Sequence, residues 1–225
     1  MKMDFTTTAM TRHEIVDRTF DSFSKNLQGI DLKDCRLFIN IDPLPEGAQR
    51  KLVIKVSKKY FGEVIYNTPK KANFSVACNW LWSNAKTEYI FHLEDDWILK
   101  EKVNMKDLLR YFDKHKNLQI VQLRAYRFTY DKIALSPCIM HKRLYQAIGG
   151  NLNEDRNPEV QLRGEKFGIV MPYPTLKIPF EGKIITYPKS SKKIILKDIG
   201  REWINKSDYR KQKVKKARFV TWEKK

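Results

Sequence analysis

The sequence predicts an α/β fold, one sheet covered by helices, and three observations predict it. Strand-like runs alternate with segments of helical period, in the order strand, helix, strand, strand, helix, strand, over the first half of the chain. Several of those runs end on polar or acidic residues, as in "DFTTTA", "INID" and "FHLEDD", where open α/β sheets bind ligands beyond the carboxyl ends of their strands. The chain has 225 residues, 42% hydrophobic and 12% aromatic, which is enough for a buried core between such layers.

Each element has its own signal. Residues 4–9, "DFTTTA", read as a first strand. "TRHEIVDRTFDSFSKNL" follows as a helix, with Ile15, Thr19, Phe20 and Phe23 at helical spacing and Thr11 as the expected cap. "CRLFINIDPLPEG" is a second strand broken by prolines and a glycine. "EVIYNT" is a third, and "NFSVACNWLWSNA" a helix with Phe74, Ala77, Trp80 and Leu81 on one face. "EYIFHLEDDWIL" is a strand that runs into Glu94, Asp95 and Asp96. "MKDLLRYFDKH" predicts a helix and "LQIVQLRAY" a strand. Residues 134–150 predict strand, helix and a glycine stop. Residues 151–190, rich in Pro, Asn and Gly, predict loops with short strands. No internal repeat is present.

Charge narrows the partners. Lys plus Arg number 44 against 26 Asp plus Glu, a net +18, which predicts attraction to polyanions: nucleic acid, anionic lipid or phosphorylated ligands. Residues 189–225 hold 14 Lys or Arg and four acids, a net +10. A second basic cluster, Arg50, Lys51, Lys55, Lys58 and Lys59, contains no acid. Cys35, Cys78 and Cys138 are far apart and lack the paired spacing of a zinc site, so buried free thiols in a reducing cytoplasm are expected. The N-terminus has no apolar h-region, and no run reaches the length of a membrane span.

The acidic triplet is the sharpest motif. Three adjacent carboxylates repel one another and need a counter-charge at a strand end. A hard divalent ion, Mg2+ or Mn2+, takes oxygen ligands and bridges carboxylates to a diphosphate. In extended geometry Glu94 and Asp96 point to the same side. A plain surface turn, or acids opening a helix, is the competing reading.

A first strand ending in Thr6, Thr7 and Thr8, a second ending in Asp42 and a later one ending in "LEDDW" resemble the GT-A glycosyltransferases, in particular the family-2-like inverting enzymes. The resemblance spans residues 4–205. It implies a GT-A type, Rossmann-like mixed sheet flanked by helices, with a catalytic domain over 1–188 and a basic segment over 189–225 that completes the site and contacts the acceptor. It implies a sugar-nucleotide donor, with UDP the expected nucleotide. Thr6, Thr7, Thr8 and Asp42 would line its nucleoside, Glu94 and Asp95 its ribose or the metal's water shell, and Asp96 would bind Mn2+ or Mg2+. Arg12 could meet the diphosphate, although an exposed arginine at a helix start is as good a reading. "IGGNLNEDRNPEVQLRGE" resembles the stretch with the catalytic carboxylate, which makes Glu159 the first candidate and Asp155 the second; Pro158-Glu159 is also a good helix start. "LKDIGREW" resembles the stretch that completes the metal shell with a late His; here Asp198 stands at that position.

The remaining conspicuous residues have plainer readings. His92 is expected to face a helix. His13, His115 and His141 have no ligand spacing. Trp80 and Trp82 are expected to pack on the sheet, and Ser136 and Pro137 to line the acceptor side.

Compact length, basicity and the lack of a membrane anchor resemble bacteriophage glycosyltransferases that decorate hydroxymethylated bases in DNA. That reading places DNA phosphates on Lys211, Lys213, Lys215, Lys216 and Arg218, among the aromatics Trp203, Tyr209, Phe219 and Trp222, and the enzyme in the host cytoplasm. Two alternatives stand beside it. One is a peripheral glycosyltransferase of envelope polysaccharide synthesis whose tail is an amphipathic helix at an anionic membrane. The other is a non-catalytic nucleic-acid-binding protein with a GT-A-like fold.

Overall fold

The computed structural model describes residues 2–44, 49–116, 118–123, 135, 137–163, 184–187, 193–207, 209–213 and 220–225. In chain order the elements are β1 (Asp4–Met10), α1 (His13–Asn26), β2 (Leu27–Gln28), a 3-10 turn (Leu32–Asp34), β3 (Arg36–Asp42), α2 (Arg50–Tyr60), β4 (Glu63–Asn67) and α3 (Phe74–Asn84). Then come β5 (Tyr89–Glu94), β6 (Trp97–Leu99), β7 (Val103–Asn104), α4 (Met105–Lys114), β8 (Ile120–Leu123), β9 (Cys138–His141), α5 (Arg143–Ala147) and α6 (Pro158–Arg163). The last are β10 (Ile184–Tyr187), β11 (Leu196–Asp198), α7 (Gly200–Lys206), β12 (Tyr209–Lys213) and β13 (Val220–Lys224).

Seven strands form one mixed sheet in the order β10-β8-β9-β5-β1-β3-β4. The β5-β1-β3-β4 half is parallel, and β9 runs antiparallel to both its neighbours. Parallel strands buried on both faces need apolar side chains on both. In β3 this holds as far as Ile39, after which Asn40 and Asp42 bring in polar groups; β1 instead carries Thr6, Thr7 and Thr8 in mid-strand and ends on the buried Ala9 and Met10. The sheet face carrying Phe5, Leu37, Ile39, Ile41, Phe91 and Leu93 packs under α1 and α2. Phe5 lies 4.9 Å from Phe91 and 5.4 Å from Phe61, centroid to centroid, so an aromatic cluster locks these layers together. The other face carries Phe38, Ile90, Cys138 and Met140 under α3 and α5. There Trp82 meets the His92 ring edge-on at 5.7 Å. His92 thus faces helix α3, as expected, and burial pushes its imidazole down to about 3. All three cysteines are buried and free.

The local chemistry explains most boundaries. Asn73 and Asn104 cap α3 and α4 by accepting from the N–H groups of Val76 and Lys106. Gly149 and Gly150, at φ 78° and 69°, stop the chain after α5. Two expectations are corrected, and one unassigned segment gains a helix. Thr11 does not cap α1, whose cap position is Arg12; its hydroxyl accepts from the Leu44 N–H at 3.3 Å and holds the chain beyond β3. The basic cluster at 50–59 is a helix, α2, because Val53, Ser57 and Tyr60 line a buried stripe under the lysines. The basic tail is not one amphipathic helix in its described parts: after α7, β12 and β13 pair antiparallel, Tyr209 opposite Lys224. Among the described residues no helix is long and apolar enough to cross a membrane.

Candidate active site

The site is built at the carboxyl ends of β1, β3 and β5. The register puts Asn67, Asn40, Thr8 and Glu94 in one row across four parallel strands. Side chains of in-register neighbours share a face, so this is a polar row on the α3 side of the sheet. Thr6 lies one step below, its hydroxyl 3.0 Å from His92 Nδ1. Thr7 falls on the opposite face and is fully buried. Thr8 is half-buried at the mouth and its carbonyl accepts from the Asp95 N–H at 3.1 Å.

The three acids divide their work. Asp95 is buried and turned inward: its Oδ2 accepts from the Met10 N–H at 2.9 Å and from Arg12 Nε at 3.0 Å, and its Oδ1 from Arg12 Nη2 at 2.5 Å. Thr19 donates to its carbonyl at 2.6 Å. Asp95 therefore ties β1, α1 and β5 together. Asp96 is turned outward, with Oδ2 accepting from Arg12 Nη2 at 2.8 Å. Glu94 accepts from the Trp97 indole N–H at 2.9 Å. Arg12 is not an exposed helix-start arginine. It is 5% exposed, bound to two carboxylates, with its guanidinium 5.1 Å from the Trp203 ring centroid.

Segment 193–207 closes over this corner. β11 pairs with β6, Asp198 opposite Trp97, and the Ile199 N–H donates to the Asp96 carbonyl at 2.9 Å. Gly200 sits against the Asp96 carboxylate so closely that a Cβ there would collide with it. Asp198 Oδ1 accepts from the Gly200 N–H at 2.8 Å, and its charge is felt at Asp96. The two sequence-predicted metal candidates are thus brought side by side. Glu159 comes from the other flank. The loop before α6 is held on α3 by Asn79, which donates to Asn151 and the Leu152 carbonyl at 2.8 and 2.9 Å. Glu159 Oε1 accepts from the Leu135 N–H at 2.8 Å, and its charge reaches Glu94. Asp155 lies in the exposed turn ahead of α6. Pro137 is buried beside β9, and Ser136 is outside the described residues. Lys211 and Lys213 lie on β12; Lys215, Lys216 and Arg218 are outside the described residues.

The electrostatics show a deficit of positive charge. Burial and neighbouring acids push the Asp96 carboxyl up to about 6 despite Arg12. They push Glu94 well above the usual carboxylate range, and burial pushes Asp42 up to about 7. One arginine does not offset this many buried acids. Among the described residues no group of three His, Cys, Asp or Glu side chains is arranged to hold a metal ion by itself. The donor set, carboxylate oxygens with excess negative charge, nonetheless suits a hard divalent cation that completes its shell with ligand oxygens.

Sequence reasoning passed over Asn40, Asn67 and Trp97, and it read Trp203 as part of a nucleic-acid surface, where the structure sets its ring against Arg12. Asn40 and Asn67 did leave a signal: each is a polar residue in a run of strand formers, "FINID" and "VIYNT".

No family model matches the chain, and no curated protein matches it. Solved structures do. The crystal structure of S. aureus TarS 1–349 in complex with UDP matches with a TM-score of 0.55 at 11% identity, over 72% of this chain and 53% of that one. The mannosyltransferase PcManGT from Pyrobaculum calidifontis, in complex with GDP-Man and Mn2+, matches with a TM-score of 0.55 at 8% identity, over 70% of this chain and 49% of that one. A longer TarS structure matches with a TM-score of 0.52 at 12% identity, over 69% of this chain and 31% of its own length. The chain therefore spans about half or less of these structures. The likeness defines the fold class: a seven-stranded mixed sheet flanked by helices, of the GT-A, Rossmann-like glycosyltransferase type.

Proposed function

We propose that the protein is a glycosyltransferase that moves a sugar from a nucleotide-sugar donor to a hydroxyl acceptor. One observation carries the reading. The strand ends of a GT-A type sheet gather Thr8, Asp42, Glu94 and Asp96 at one mouth, with Asp198 packed beside Asp96 and Glu159 entering from the opposite flank. The TarS structure with UDP and another with UDP-GlcNAc support a UDP-sugar as the donor.

In this reading Thr8 and Asp42 form the nucleoside side, whereas Thr6 and Thr7, expected there from the sequence, are fully buried and do not line it; Arg12 fixes Asp95 and Asp96 so that the latter faces the diphosphate. Asp96 and Asp198 would hold Mn2+ or Mg2+, which supplies charge neutralisation for the departing diphosphate; PcManGT with Mn2+ supports that choice. Glu159 takes the proton of the acceptor hydroxyl as its oxygen bonds to the anomeric carbon. The bond from that carbon to the diphosphate oxygen breaks in the same displacement, and the product is inverted. Asp155, exposed and further out, is the second candidate for the base. The acceptor we propose is a hydroxymethylated base in phage DNA, extruded from the duplex to reach the site. The net +10 of residues 189–225 supports it.

The test is a panel of sugar nucleotides offered with Mn2+ to hydroxymethylated DNA, plain DNA and a lipid-linked glycan, read by mass spectrometry. Sugar on hydroxymethylated DNA alone is the expected result. Sugar on the glycan alone replaces DNA by envelope polysaccharide. No transfer and no donor hydrolysis across the panel overturns the glycosyltransferase reading in favour of a binding protein. Chelator, and separately Asp96→Asn, are expected to abolish transfer; full activity under both removes the metal from the reading.

A further inference from the structure

The segment that brings Glu159 to the mouth has no strand or helix to hold it. Residues 151–157, between Gly150 and α6, are irregular, so their backbone N–H and C=O groups turn to side chains for partners. Three such side chains come from α3. Asn79 takes both polar groups of Leu152, accepting from its N–H at 2.7 Å and donating to its carbonyl at 2.9 Å. Asn73 donates to the Glu154 carbonyl at 3.0 Å, and Ser75 donates to the Arg156 carbonyl. The fourth comes from α6. Gln161 Oε1 accepts from the Asn153 N–H at 2.7 Å, and its Nε2 donates to the carbonyls of Asn153 and Arg156, both at 3.0 Å. The same Nε2 lies 3.3 Å from Ser75 Oγ.

Gln161 is 8% exposed. A buried amide is unfavourable unless its ends are paired, and here both ends are paired, with the 153–156 turn and with α3. Helix α6 has six residues, well short of a helix that holds itself. Its orientation is therefore set by what it docks on. Leu162 is buried beside α3 and fixes how deep α6 sits, but an apolar contact has no direction. The amide of Gln161 has one, and it fixes the rotation of α6 about its axis. Glu159 lies two residues earlier, about 200° round the same helix. It therefore projects from a different flank, where it meets the Leu135 N–H at 2.8 Å. A rotation of α6 that broke the Gln161 bonds would swing Glu159 off that N–H.

We propose that Gln161 is a positioning residue for Glu159: its amide ties the 153–156 turn to α3, fixes the rotation of α6, and so aims the Glu159 carboxylate at the acceptor hydroxyl. The proposal rests on the reading of Glu159 as the base.

The experiment is a kinetic double-variant cycle of Gln161→Met and Glu159→Gln in the full chain with Mn2+, using the sugar nucleotide that turns over in the panel above. Met is unbranched like Gln and has no amide to offer. Misplacing a reacting group by about 1 Å costs about 10²-fold. Gln161→Met alone is therefore expected to lower kcat by about 10- to 100-fold, with the donor KM within about twofold. In the Glu159→Gln background no base is left to aim, and the same substitution is expected to cost less than about twofold. A purely structural role gives the same loss in both backgrounds, so equal losses overturn the proposal, as does an unchanged kcat in folded Gln161→Met. If Gln161→Met does not fold, Ser75→Ala takes its place. It removes the hydroxyl that donates to the Arg156 carbonyl and leaves a good helix former in α3. A loss of about threefold is expected, which vanishes beside Glu159→Gln; no loss, or the same loss in both backgrounds, overturns the proposal. Normal turnover in Glu159→Gln overturns the base and its positioning together. Turnover of no sugar nucleotide removes the glycosyltransferase reading and the proposal with it.

Discussion

Glu159 and Asp155 are four residues apart in sequence and in different environments. Glu159 is held by the Leu135 N–H and faces the acidic strand end, whereas Asp155 is exposed in a turn. Glu159→Gln is expected to keep donor affinity and to lose transfer by roughly 10²-fold or more, while Asp155→Asn stays within about twofold. A dead Asp155→Asn beside an active Glu159→Gln would exchange their roles. Asp42 leads to a pH prediction. Its folded carboxyl lies at about 7, above its ordinary value of 3.8. The native state therefore binds more protons than the unfolded chain between about pH 4 and 7, and Asp42 costs stability as pH rises through that window. Asp42→Asn removes this pH-dependent contribution. The difference in melting temperature, variant minus wild type, is expected to grow from pH 4 to 7 and then level off. A flat difference curve would mean that Asp42 is not buried as described.

At the scale of elements, α7 depends on one absent side chain. A Cβ at Gly200 would meet the Asp96 carboxylate, so Gly200→Ala must displace either α7 or Asp96. Overpacking of this kind costs about 1–3 kcal/mol. Urea unfolding is expected to show that loss, and nucleotide binding is expected to weaken with it, because Asp96 shares Arg12 with Asp95. Unchanged stability and affinity would show that the carboxylate has room to move. The elements themselves were legible where one period dominated. The strands at 4–9 and 63–68 and the helix at 73–85 follow from local pattern alone, and the acidic strand end was visible as an anomaly of charge. Helix α2 was hidden because five cations among its eleven residues mask the stripe of Val53, Ser57 and Tyr60. The contacts of Arg12 were hidden for another reason. Its partners lie more than 80 residues away, and only the β1–β5 pairing brings them together. The hydrogen-bonded chain Asn67–Asn40–Asp42 needs β3 and β4 in register, which no single segment encodes.

For the whole molecule, charge sets the expected behaviour. With DNA as the proposed acceptor, the net +10 over residues 189–225 predicts duplex binding that weakens steeply with salt, with a log–log slope of about −0.9 per phosphate contacted. Neutralising Lys211, Lys213, Lys215 and Lys216 together is expected to flatten that slope and leave hydrolysis of free sugar nucleotide unchanged, since the proposed donor mouth lies at the strand ends of the large sheet. An unaltered slope would move the polyanion surface elsewhere, with the lysines of α2 next in line. The buried thiols bear on the same architecture. Cys78 and Cys138 are fully buried beneath Glu94 and Glu159, and their acidity is suppressed by that burial and those charges. The thiolate is the reactive form, so neither sulfur reacts with an alkylating reagent until α3 and β9 separate. The rate of modification is then a clock for opening of the half of the sheet that carries the proposed site. A nucleotide that engages only the native mouth slows that clock by the factor 1 + [L]/Kd, which makes donor affinity readable from cysteine labelling without any turnover.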